Sequence, residues 1–590
     1  MELNSKEHHN DTTIEQQERE DMDSVGAESV PAGYYTSPNF LGTLLGIGLG
    51  IFTGTSSFAL PAGALATINK DIGPDPNYVW IGLVNTLMLA IGYTIVGRVT
   101  DLCGRRYFII GGNAVGVIGT IISATAKSIP ILIGGNVLMG LAASTQTSTP
   151  ALLGELLPMK HRFAITGLFF TIFVLPNTFG AAISHAFVEN TAGGWRNLYW
   201  LLLATNAASC CLIFVFYHPP TFAMKNSRTK MQAVKDFDYV GFFLFSGGLT
   251  TFLLGLSWGG QVYPWDSARV IACLVVGGVV IVAFVLYECY MPLKDPLVPM
   301  RLFRNYGWVV TVLVLGIGPT IFYGFAIVWP QMVFGLYTTD VKYGSLLSVI
   351  PTVAFTGGTC CSAFVRYIRK QRIQIIVCAS IGAPLVAACA CMTVDNRDTI
   401  IGLMFTGCFF LGYIEGAGVT ATAVSLEDQA DIGVGSGVAA TLRGVFATFG
   451  AAIYVLVLRT RLTTTIPQQV PPALIRAGLP VSSIPAFIAA FQTGEFAKIP
   501  GVSASIIQAG TLAYDQAQVL AYRTVFLTTL AFSGPILILS FFWPDLDKKM
   551  TNHTAAFLHT RKDKADLERN HVYEKERAET IENTRDTEHV

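Results

Sequence analysis

The chain has 590 residues, of which 52% are hydrophobic and only 13% carry a charge. A soluble globular protein does not use this much apolar surface, so the composition predicts a protein that faces lipid. The formal net charge is zero, and Lys and Arg lie in short clusters between apolar runs, which argues against a nucleic-acid partner.

Apolar runs of about twenty residues, the length that crosses a bilayer as a helix, recur along the whole chain. The first six are predicted at 41–62, 78–97, 107–125, 131–156, 163–185 and 197–217. Two more follow at 239–258 and 268–288, and the last six at 308–330, 343–365, 374–393, 400–420, 435–458 and 522–543. The sequence therefore predicts an all-α polytopic membrane protein with about fourteen transmembrane helices.

The loops between these spans differ in positive charge. Lys and Arg concentrate in alternate loops, for example at 98–106 and 366–372, and the positive-inside rule places those loops in the cytosol. Both termini are then cytosolic, with an acidic tail over 1–38 and a charged tail over 548–590. The long link 459–521 falls on the outer side, where it forms either short amphipathic helices over the mouth or a passive loop.

A charged turn joins the second and third predicted spans, with the sequence Gly97-Arg98-Val99-Thr100-Asp101-Leu102-Cys103-Gly104-Arg105-Arg106. Gly97 permits close helix packing, Gly104 makes the turn, and Asp101 can pair with Arg105 or Arg106. Such a turn can act as a conformational latch between two halves of a bundle. The pattern resembles the signature loop of the major facilitator superfamily, the alternative being an ordinary positive-inside loop.

Further motifs along the chain are similar to those of drug exporters in this superfamily. They are Trp195-Arg196-Asn197-Leu198-Tyr199-Trp200, Asp236-Phe237-Asp238-Tyr239-Val240-Gly241, Trp258-Gly259-Gly260, Tyr263-Pro264-Trp265 and Leu302-Phe303-Arg304-Asn305. Together they resemble the fourteen-span drug:proton antiporter branch. Within it they are most similar to the fungal trichothecene efflux pump group, which is related to the fungal siderophore transporters.

The resemblance implies the major facilitator fold. Two six-helix bundles, 39–218 and 306–547, would flank a linker over 219–305 that carries two additional helices. It also implies proton-driven export of a small apolar compound, such as a sesquiterpene mycotoxin or another toxic secondary metabolite. Its partners would be that small molecule, protons and the bilayer, in the plasma membrane rather than a vacuolar or vesicle membrane. Siderophore-iron uptake and a non-transporting receptor on the same fold remain the alternatives.

Two segments depart from the exporter pattern. In the fourth span, exporters carry an Arg in the pattern Arg-x-x-Gln-Gly, whereas Asn136 stands at that position here. This replacement leaves proton coupling open and is the best support for the receptor alternative. In the fifth span only Pro176 and Gly180 remain of a Gly-Pro-x-x-Gly-Gly pattern, which is enough to bend the helix.

Two ionisable residues lie inside predicted spans and away from the span ends, where a charge is costly and usually marks a cavity or a partner. Glu415 is in the twelfth span, between small residues, and Arg443 is in the thirteenth. A carboxyl that gains and loses a proton as a cavity changes sides is the simplest coupling device, so these two are the candidate proton-coupling residues. The alternative, which the residues alone favour slightly, is a permanent ion pair that fixes helix packing.

Polar uncharged residues in the spans can line a pocket for a neutral cargo beside aromatic surface. The candidate pocket residues are Asn85, Asn136, Gln146, Asn177, Tyr323, Trp329 and Gln331. Taken one by one, each is also explained as a hydrogen bond between helices.

Motifs for enzymatic chemistry are not found in the sequence. It contains no P-loop of the Gly-x-x-x-x-Gly-Lys-Ser/Thr type, no nucleophile elbow and no metal-binding His pair, and its eleven Cys have no metal-type spacing. The sequence thus predicts a protein that is not an enzyme, takes no cofactor or metal, and draws energy from an ion gradient.

Overall fold

The chain is helical almost throughout the residues that the structure describes. The computed structural model describes residues 36–75, 78, 80–103, 105–148, 161–174, 178–218, 235, 237–260, 263–293, 296–338, 340–426, 432–493, 496 and 499–547. Within these ranges thirteen helices are long and apolar enough to cross a membrane. The predicted all-α membrane fold is thereby confirmed.

Six predicted spans form the first helical bundle. Its helices are α1 Pro38–Ile72, α2 Trp80–Cys103, α3 Arg105–Ala124, α4 Ile129–Gln146, α5 Arg162–Phe169, α6 Gly180–Asn190 and α7 Arg196–Phe216. Helix α1 packs against α7, α4 and α6, and α3 packs against α4 and α7. The Ser37 hydroxyl caps the start of α1 by accepting a hydrogen bond from the Phe40 amide, and Pro38 supplies a first residue that lacks an N–H.

The fifth predicted span, 163–185, consists of two helices. Helix α5 continues as a π-helical turn over Phe170–Val174, and α6 begins at Gly180. Pro176 and Asn177 lie outside the described residues, whereas Gly180 packs directly against α1, where a methyl group at Gly180 would meet the Ala59 side chain at 3.0 Å. Close packing at Gly180 is therefore present.

Along the chain, two helices lie between the first and second bundles, α8 Tyr239–Trp258 and α9 Ala268–Tyr290. The Asp238 side chain caps α8 by accepting a hydrogen bond from the Gly241 amide at 2.8 Å, and it also accepts one from the Tyr287 hydroxyl of α9 at 3.1 Å. These bonds account for the Asp-x-x-Gly part of the motif at 236–241, because the aspartate both begins one helix and binds the next.

The second bundle is built from the remaining long helices. They are α10 Tyr306–Met332, α11 Val341–Ser348, α12 Ile350–Cys361, α13 Gln371–Ala388, α14 Arg397–Val424, α15 Ile432–Arg476, α16 Ile484–Thr493, α17 Ala504–Thr528 and α18 Leu530–Phe541. Helix α10 packs against α15, α14 and α18, while α12 packs against α14 and α15 against α17. The Asn305 side chain caps α10 and donates to the Ser425 carbonyl at 3.1 Å, which ties that end of α10 to α14.

Most of the link 459–521 is helical, as in the first of its two predicted alternatives, but its first part continues the preceding long helix instead of forming a short helix of its own. Helix α15 has 45 residues, so at 1.5 Å per residue it is roughly 65 Å long, about twice the thickness of a bilayer core. Its last turns pack with α16 and the start of α17 around buried Leu474, Phe487 and Ile506. Pro467, Pro471 and Pro472 lie within α15, and such prolines are the reason why the predicted span ends before them.

The two bundles meet along a seam of small residues between α2 and α15. A methyl group at Gly97 would lie 2.6 Å from the Gly433 carbonyl oxygen, and one at Gly437 would lie 2.6 Å from the Tyr93 carbonyl oxygen. The Thr94 hydroxyl donates to that of Thr441 at 2.8 Å. Backbones this close require residues without large side chains. The small residues on both α2 and α15 therefore permit the contact.

Candidate functional site

A cavity of about 530 Å³ lies between the two bundles. Both halves contribute to its wall: Thr55, Asn85 and Tyr93 from the first bundle, and Phe322, Tyr323, Phe355, Thr359, Glu415 and Arg443 from the second. Most of the remaining lining is apolar. A cavity of this size, mostly apolar with a few converging polar groups, is suited to a small molecule.

The charged centre of the cavity is an ion pair between neighbouring helices. Arg443 of α15 donates from Nη1 to Oε1 of Glu415 on α14. The Glu415 side chain is only 4% exposed, whereas that of Arg443 is 24% exposed and faces the cavity. Both residues predicted for proton coupling thus lie together on the cavity wall.

Two tyrosines interact with this pair. Arg443 interacts electrostatically with Tyr323 of α10 and with Tyr93 of α2, as well as with Glu415. The Tyr93 hydroxyl is hydrogen bonded to that of Thr147 at 2.8 Å. Because Tyr93 belongs to the first bundle and Arg443 to the second, the charged pair interacts with residues of both bundles.

Two of the predicted pocket residues line the cavity, Asn85 and Tyr323. Asn85 is buried and donates to the Ser57 hydroxyl at 3.2 Å, which holds its side chain against α1. Tyr323 lies beside the stacked rings of Phe322 and Phe355, whose centroids are 3.8 Å apart. These residues offer a hydrogen-bonding edge and an aromatic wall.

Two other predicted residues connect helices within the first bundle and do not line this cavity. Asn136 donates to the Leu132 carbonyl at 2.9 Å and lies 3.4 Å from the Tyr199 hydroxyl. Gln146 donates to the Asn113 amide oxygen at 2.9 Å and lies 3.1 Å from the side-chain amide of Asn206. In these contacts both residues hold helices together, the alternative that the sequence left open.

The remaining candidates are also placed elsewhere. Trp329 is fully buried and donates from its ring nitrogen to the Leu347 carbonyl at 2.9 Å, so it joins α10 to α11. Gln331 is exposed. Asn177 lies outside the described residues.

Part of the charged turn after α2 lies at one end of the cavity. Gly97 and Arg105 both line it, and Arg105 is buried. Arg106 points away and donates to the Phe214 carbonyl at 2.8 Å, which ties α3 to the end of α7. The side chain of Asp101 and the whole of Gly104 lie outside the described residues.

The Trp195-Arg196 motif forms a cluster at the opposite end of the first bundle. Asp71 accepts hydrogen bonds from the Trp195 ring nitrogen at 2.9 Å and from Arg196 at 2.8 Å, and the Arg196 guanidinium lies 4.3 Å from the centroid of the Trp195 ring. The hydrogen bonds from Trp195 and Arg196 hold the pKa of Asp71 below its usual value. The motif therefore fastens the end of α1 to the start of α7.

Sequence reasoning missed the seam residues Thr94, Thr441 and Gly433. Thr and Gly are frequent in membrane helices, so these positions carry no distinctive signal. The Gly433-x-x-x-Gly437 spacing, typical of closely packed membrane helices, was the one available clue. In the described part of the chain, no group of three or more His, Cys, Asp or Glu is placed to hold a metal ion.

The fold, with two bundles around a central cavity, is that of a multi-pass transporter of the major facilitator superfamily. A solved structure, that of the human organic anion transporter MFSD10 (TETRAN), has the same fold with a TM-score of 0.53 at 13% identity, covering 86% of this chain and all of the other. The sequence profile of the fungal trichothecene efflux pump family (TRI12) matches residues 6–588. The chain belongs to that family.

Curated relatives span nearly the whole chain. The trichothecene efflux pump TRI12 of Trichoderma arundinaceum is 28% identical, covering 92% of both chains. Its counterpart in Fusarium sporotrichioides is 26% identical over 91% of this chain and 92% of the other. The MFS-type transporter prx5 of Penicillium rubens is 28% identical over 85% of this chain and 90% of its own. These relatives support a transporter that exports secondary metabolites.

Proposed function

We propose that the protein exports a small, largely apolar secondary metabolite, of the trichothecene type, across the plasma membrane in exchange for protons. The observation that carries this proposal is the Glu415–Arg443 pair on the wall of the cavity between the bundles. The efflux pumps named above support the direction of transport and the class of cargo.

The pair suits proton coupling because its two partners differ in their surroundings. Glu415 is buried in the wall of a mostly apolar cavity, where a charged carboxylate is costly without its cation. Arg443 compensates that charge from one side only. Protonation of Glu415 would therefore weaken the ion pair and change the polarity of the cavity, which makes proton uptake and the state of the site interdependent.

The seam between α2 and α15 supports alternating access. Among the described residues it joins the bundles through small residues, the Thr94–Thr441 hydrogen bond and a bond from the Thr441 hydroxyl to the Ala90 carbonyl at 3.0 Å, so the contact is close but carries few strong bonds. Bundles connected in this way can separate at one end by rocking. The charge pattern of the loops supports a cytosolic location for this end and for both termini.

A drug-sensitive yeast that expresses the full chain provides the test. We expect lower accumulation of a labelled trichothecene than with an empty vector, and the difference should disappear with a protonophore or with Glu415→Gln. Glu189→Gln is the matched control, because it makes the same chemical change at an exposed carboxylate that pairs with His185.

Each contrary result has a distinct meaning. Accumulation equal to that of the empty vector would exclude this cargo and direct the search to other metabolites or to uptake of a siderophore-iron complex, tested by growth on that complex as sole iron source. Cargo binding without any flux would instead indicate a receptor. Export that is insensitive to the protonophore would overturn proton exchange but leave export in place.

A further inference from the structure

Helix α8 packs against both bundles, but mainly through different halves of its length. In its first half, Phe245 packs against a cluster whose buried members all lie outside the first bundle. One of them is Phe284 of α9, whose ring centroid is 5.3 Å from that of Phe245. In its second half, Leu249, Leu253 and Leu256 form another cluster, whose other buried members all lie on α2 of the first bundle.

The contact of the second half with the first bundle continues to the end of α8. The ring of Trp258, the last residue of α8, meets that of Trp80 at the start of α2 edge to face, with the centroids 6.0 Å apart. Phe245 and Val445 of α15 touch the cluster on α2 only as partly buried neighbours. The two halves of α8 are thus held by two bodies that move relative to each other in the proposed transport cycle.

Between the two halves lies the sequence Ser246-Gly247-Gly248. Glycine is a poor helix former, and Gly/Ser pairs are common sites of helix kinks. A methyl group at Gly248 would lie 3.0 Å from the Val280 side chain of α9, so packing accounts for that glycine, whereas one at Gly247 would meet open space. Packing therefore gives no reason for glycine at 247, and a bend at this point does.

The backbone beside the glycine pair has a second set of hydrogen-bond donors. The Thr250 hydroxyl donates to the Ser246 carbonyl. The Thr251 hydroxyl donates to the Gly247 carbonyl at 2.7 Å. These two carbonyls lose their amide partners if the helix opens at the glycine pair. An unpaired carbonyl is costly in lipid, and a threonine hydroxyl one turn away can replace the lost partner.

Helix α9 repeats the arrangement beside α8. It carries the pair Gly277-Gly278. A methyl group at Gly277 would lie 2.5 Å from the backbone nitrogen of Phe252 on α8, whereas one at Gly278 would meet open space. Each of the two inserted helices therefore has one glycine that packing requires, next to one that it does not. This repetition supports bending of the two helices as a unit.

We infer that α8 bends at Gly247-Gly248 when the bundles rock, so that its first half follows the second bundle and its second half follows the first. The hydroxyls of Thr250 and Thr251 keep the carbonyls at the bend hydrogen bonded. The inference rests on the alternating access of the proposed function and gives the inserted helices a part in it. A rigid α8 would instead have to leave one bundle in each cycle and uncover the cavity that Leu253 and Leu256 line.

The first test stiffens the bend. Gly247→Ala places a methyl group in open space and favours the straight helix. We expect efflux of a labelled trichothecene from preloaded yeast to slow about 5-fold, the factor that corresponds to the difference in helix propensity between glycine and alanine. Equilibrium binding of the cargo to the purified full-length protein in lipid nanodiscs should be unchanged, and its melting temperature should not fall.

The second test removes a donor at the bend. Thr251→Val keeps the shape of the side chain but loses the hydroxyl that bonds the Gly247 carbonyl. In a helix that stays straight this carbonyl keeps its amide partner, so the exchange would be silent. In a helix that bends, we expect efflux to slow by a similar factor, because the carbonyl is left unpaired in lipid.

Helix α14, which belongs to one bundle, provides matched controls. Gly402 also has open space for a methyl group, and its carbonyl accepts a hydrogen bond from the Thr406 hydroxyl at 2.8 Å. The local chemistry is the same as at Gly247 and Thr251, without a second glycine. Gly402→Ala and Thr406→Val should therefore leave efflux unchanged.

The outcomes separate this inference from the proposed function. Efflux by Gly247→Ala and Thr251→Val at the rate of the unaltered protein would overturn the bend and leave trichothecene export standing. Weaker cargo binding or a lower melting temperature in Gly247→Ala would show a packing role for this glycine and also overturn it.

A cargo-independent measurement decides if the unaltered protein exports no trichothecene, which would overturn the proposed cargo alone. Hydrogen exchange of the purified protein in nanodiscs should be faster at the amides of 250–252, which follow the bend by one turn, than at 405–407 in α14. Gly247→Ala should slow it. Equal protection of the two segments would overturn the bend.

Discussion

Gly97 of α2 and Gly433 of α15 bring the two bundles into backbone contact at one end of the central cavity. A methyl group at Gly97 would lie 2.6 Å from the Gly433 carbonyl oxygen, a distance that real side chains do not tolerate. The first glycine of the motif at 97–106 therefore has a defined partner in the other half of the chain. We propose that this contact is the physical basis of the conformational latch predicted from that motif. Mutation can test the proposal.

We expect Gly97→Ala to impair transport while leaving expression and membrane insertion unchanged, because the added methyl group forces the bundles apart at the seam. Gly111→Ala is the control, since Gly111 on α3 has open space where its methyl group would lie. Accumulation assays on both variants measure the effect. Equal export by the two variants would show that the seam does not close during transport.

The buried ion pair predicts a non-additive effect on stability. Removing one partner leaves the other charge buried and unpaired, so Glu415→Leu or Arg443→Leu alone should lower the free energy of unfolding by up to about 3 kcal/mol. The double variant should be less destabilised than the sum of the two, and transport should be lost in all three. Thermal unfolding of the purified single and double variants gives a double-mutant cycle. Strictly additive destabilisation would contradict the predicted coupling of the two charges.

The Asp71 cluster predicts a pH-dependent contribution to stability. Because the pKa of Asp71 is lowered from its model-compound value of 3.8, its bonds to Trp195 and Arg196 stabilise the fold above that value and are lost as the pH falls through the lowered pKa. Its side chain is 47% exposed, so solvent screening limits the effect to about 1 kcal/mol or less. Asp71→Asn should lower the melting temperature at neutral pH and have little effect in strong acid.

The control for that prediction is Asp395→Asn, which changes an exposed aspartate two residues before α14. Its melting temperature should match that of the unaltered protein at every pH. A destabilisation by Asp71→Asn that persists unchanged in strong acid would indicate a packing defect and not the loss of the charged hydrogen bonds.

The amide cluster in the first bundle predicts a structural and not a binding role for Gln146. Gln146→Leu removes the bond to Asn113 and the contact with Asn206, which should destabilise the bundle by about 1 kcal/mol or more, as these buried amides lose their partner. Gln331→Leu, at an exposed position, should leave both stability and transport unchanged. Reduced cargo binding with unaltered stability in Gln146→Leu would contradict this role.

The sequence predicted the membrane helices well because each apolar run must satisfy its backbone hydrogen bonds internally, so length and composition suffice. It also singled out Glu415 and Arg443, since charges inside spans are rare. It could not show that Asn85 and Tyr323 line the cavity whereas Asn136 and Trp329 join helices. A membrane helix is apolar on several faces, so periodicity does not say which polar residue faces a cavity and which faces a neighbouring helix.

Long-range geometry set the other limits. The partner of Gly97 is more than three hundred positions away in the chain, and no local pattern connects it with Gly433. The extension of α15 to Arg476 was hidden by its three prolines, which in an isolated sequence indicate a loop. The packing around Phe487 and Leu474 explains why the helix continues there.

The additional helix α8 has a consequence for how cargo meets the bilayer. Leu253 and Leu256 line the cavity while α8 packs against both α2 and α15, so it covers the groove where the two bundles join. The helices α8 and α9 therefore separate the cavity from the lipid at this groove. Helix α9 has a largely lipid-facing surface and forms the outer layer of this barrier. Replacing 219–305 by a short linker would open a window through which acyl chains compete with the cargo.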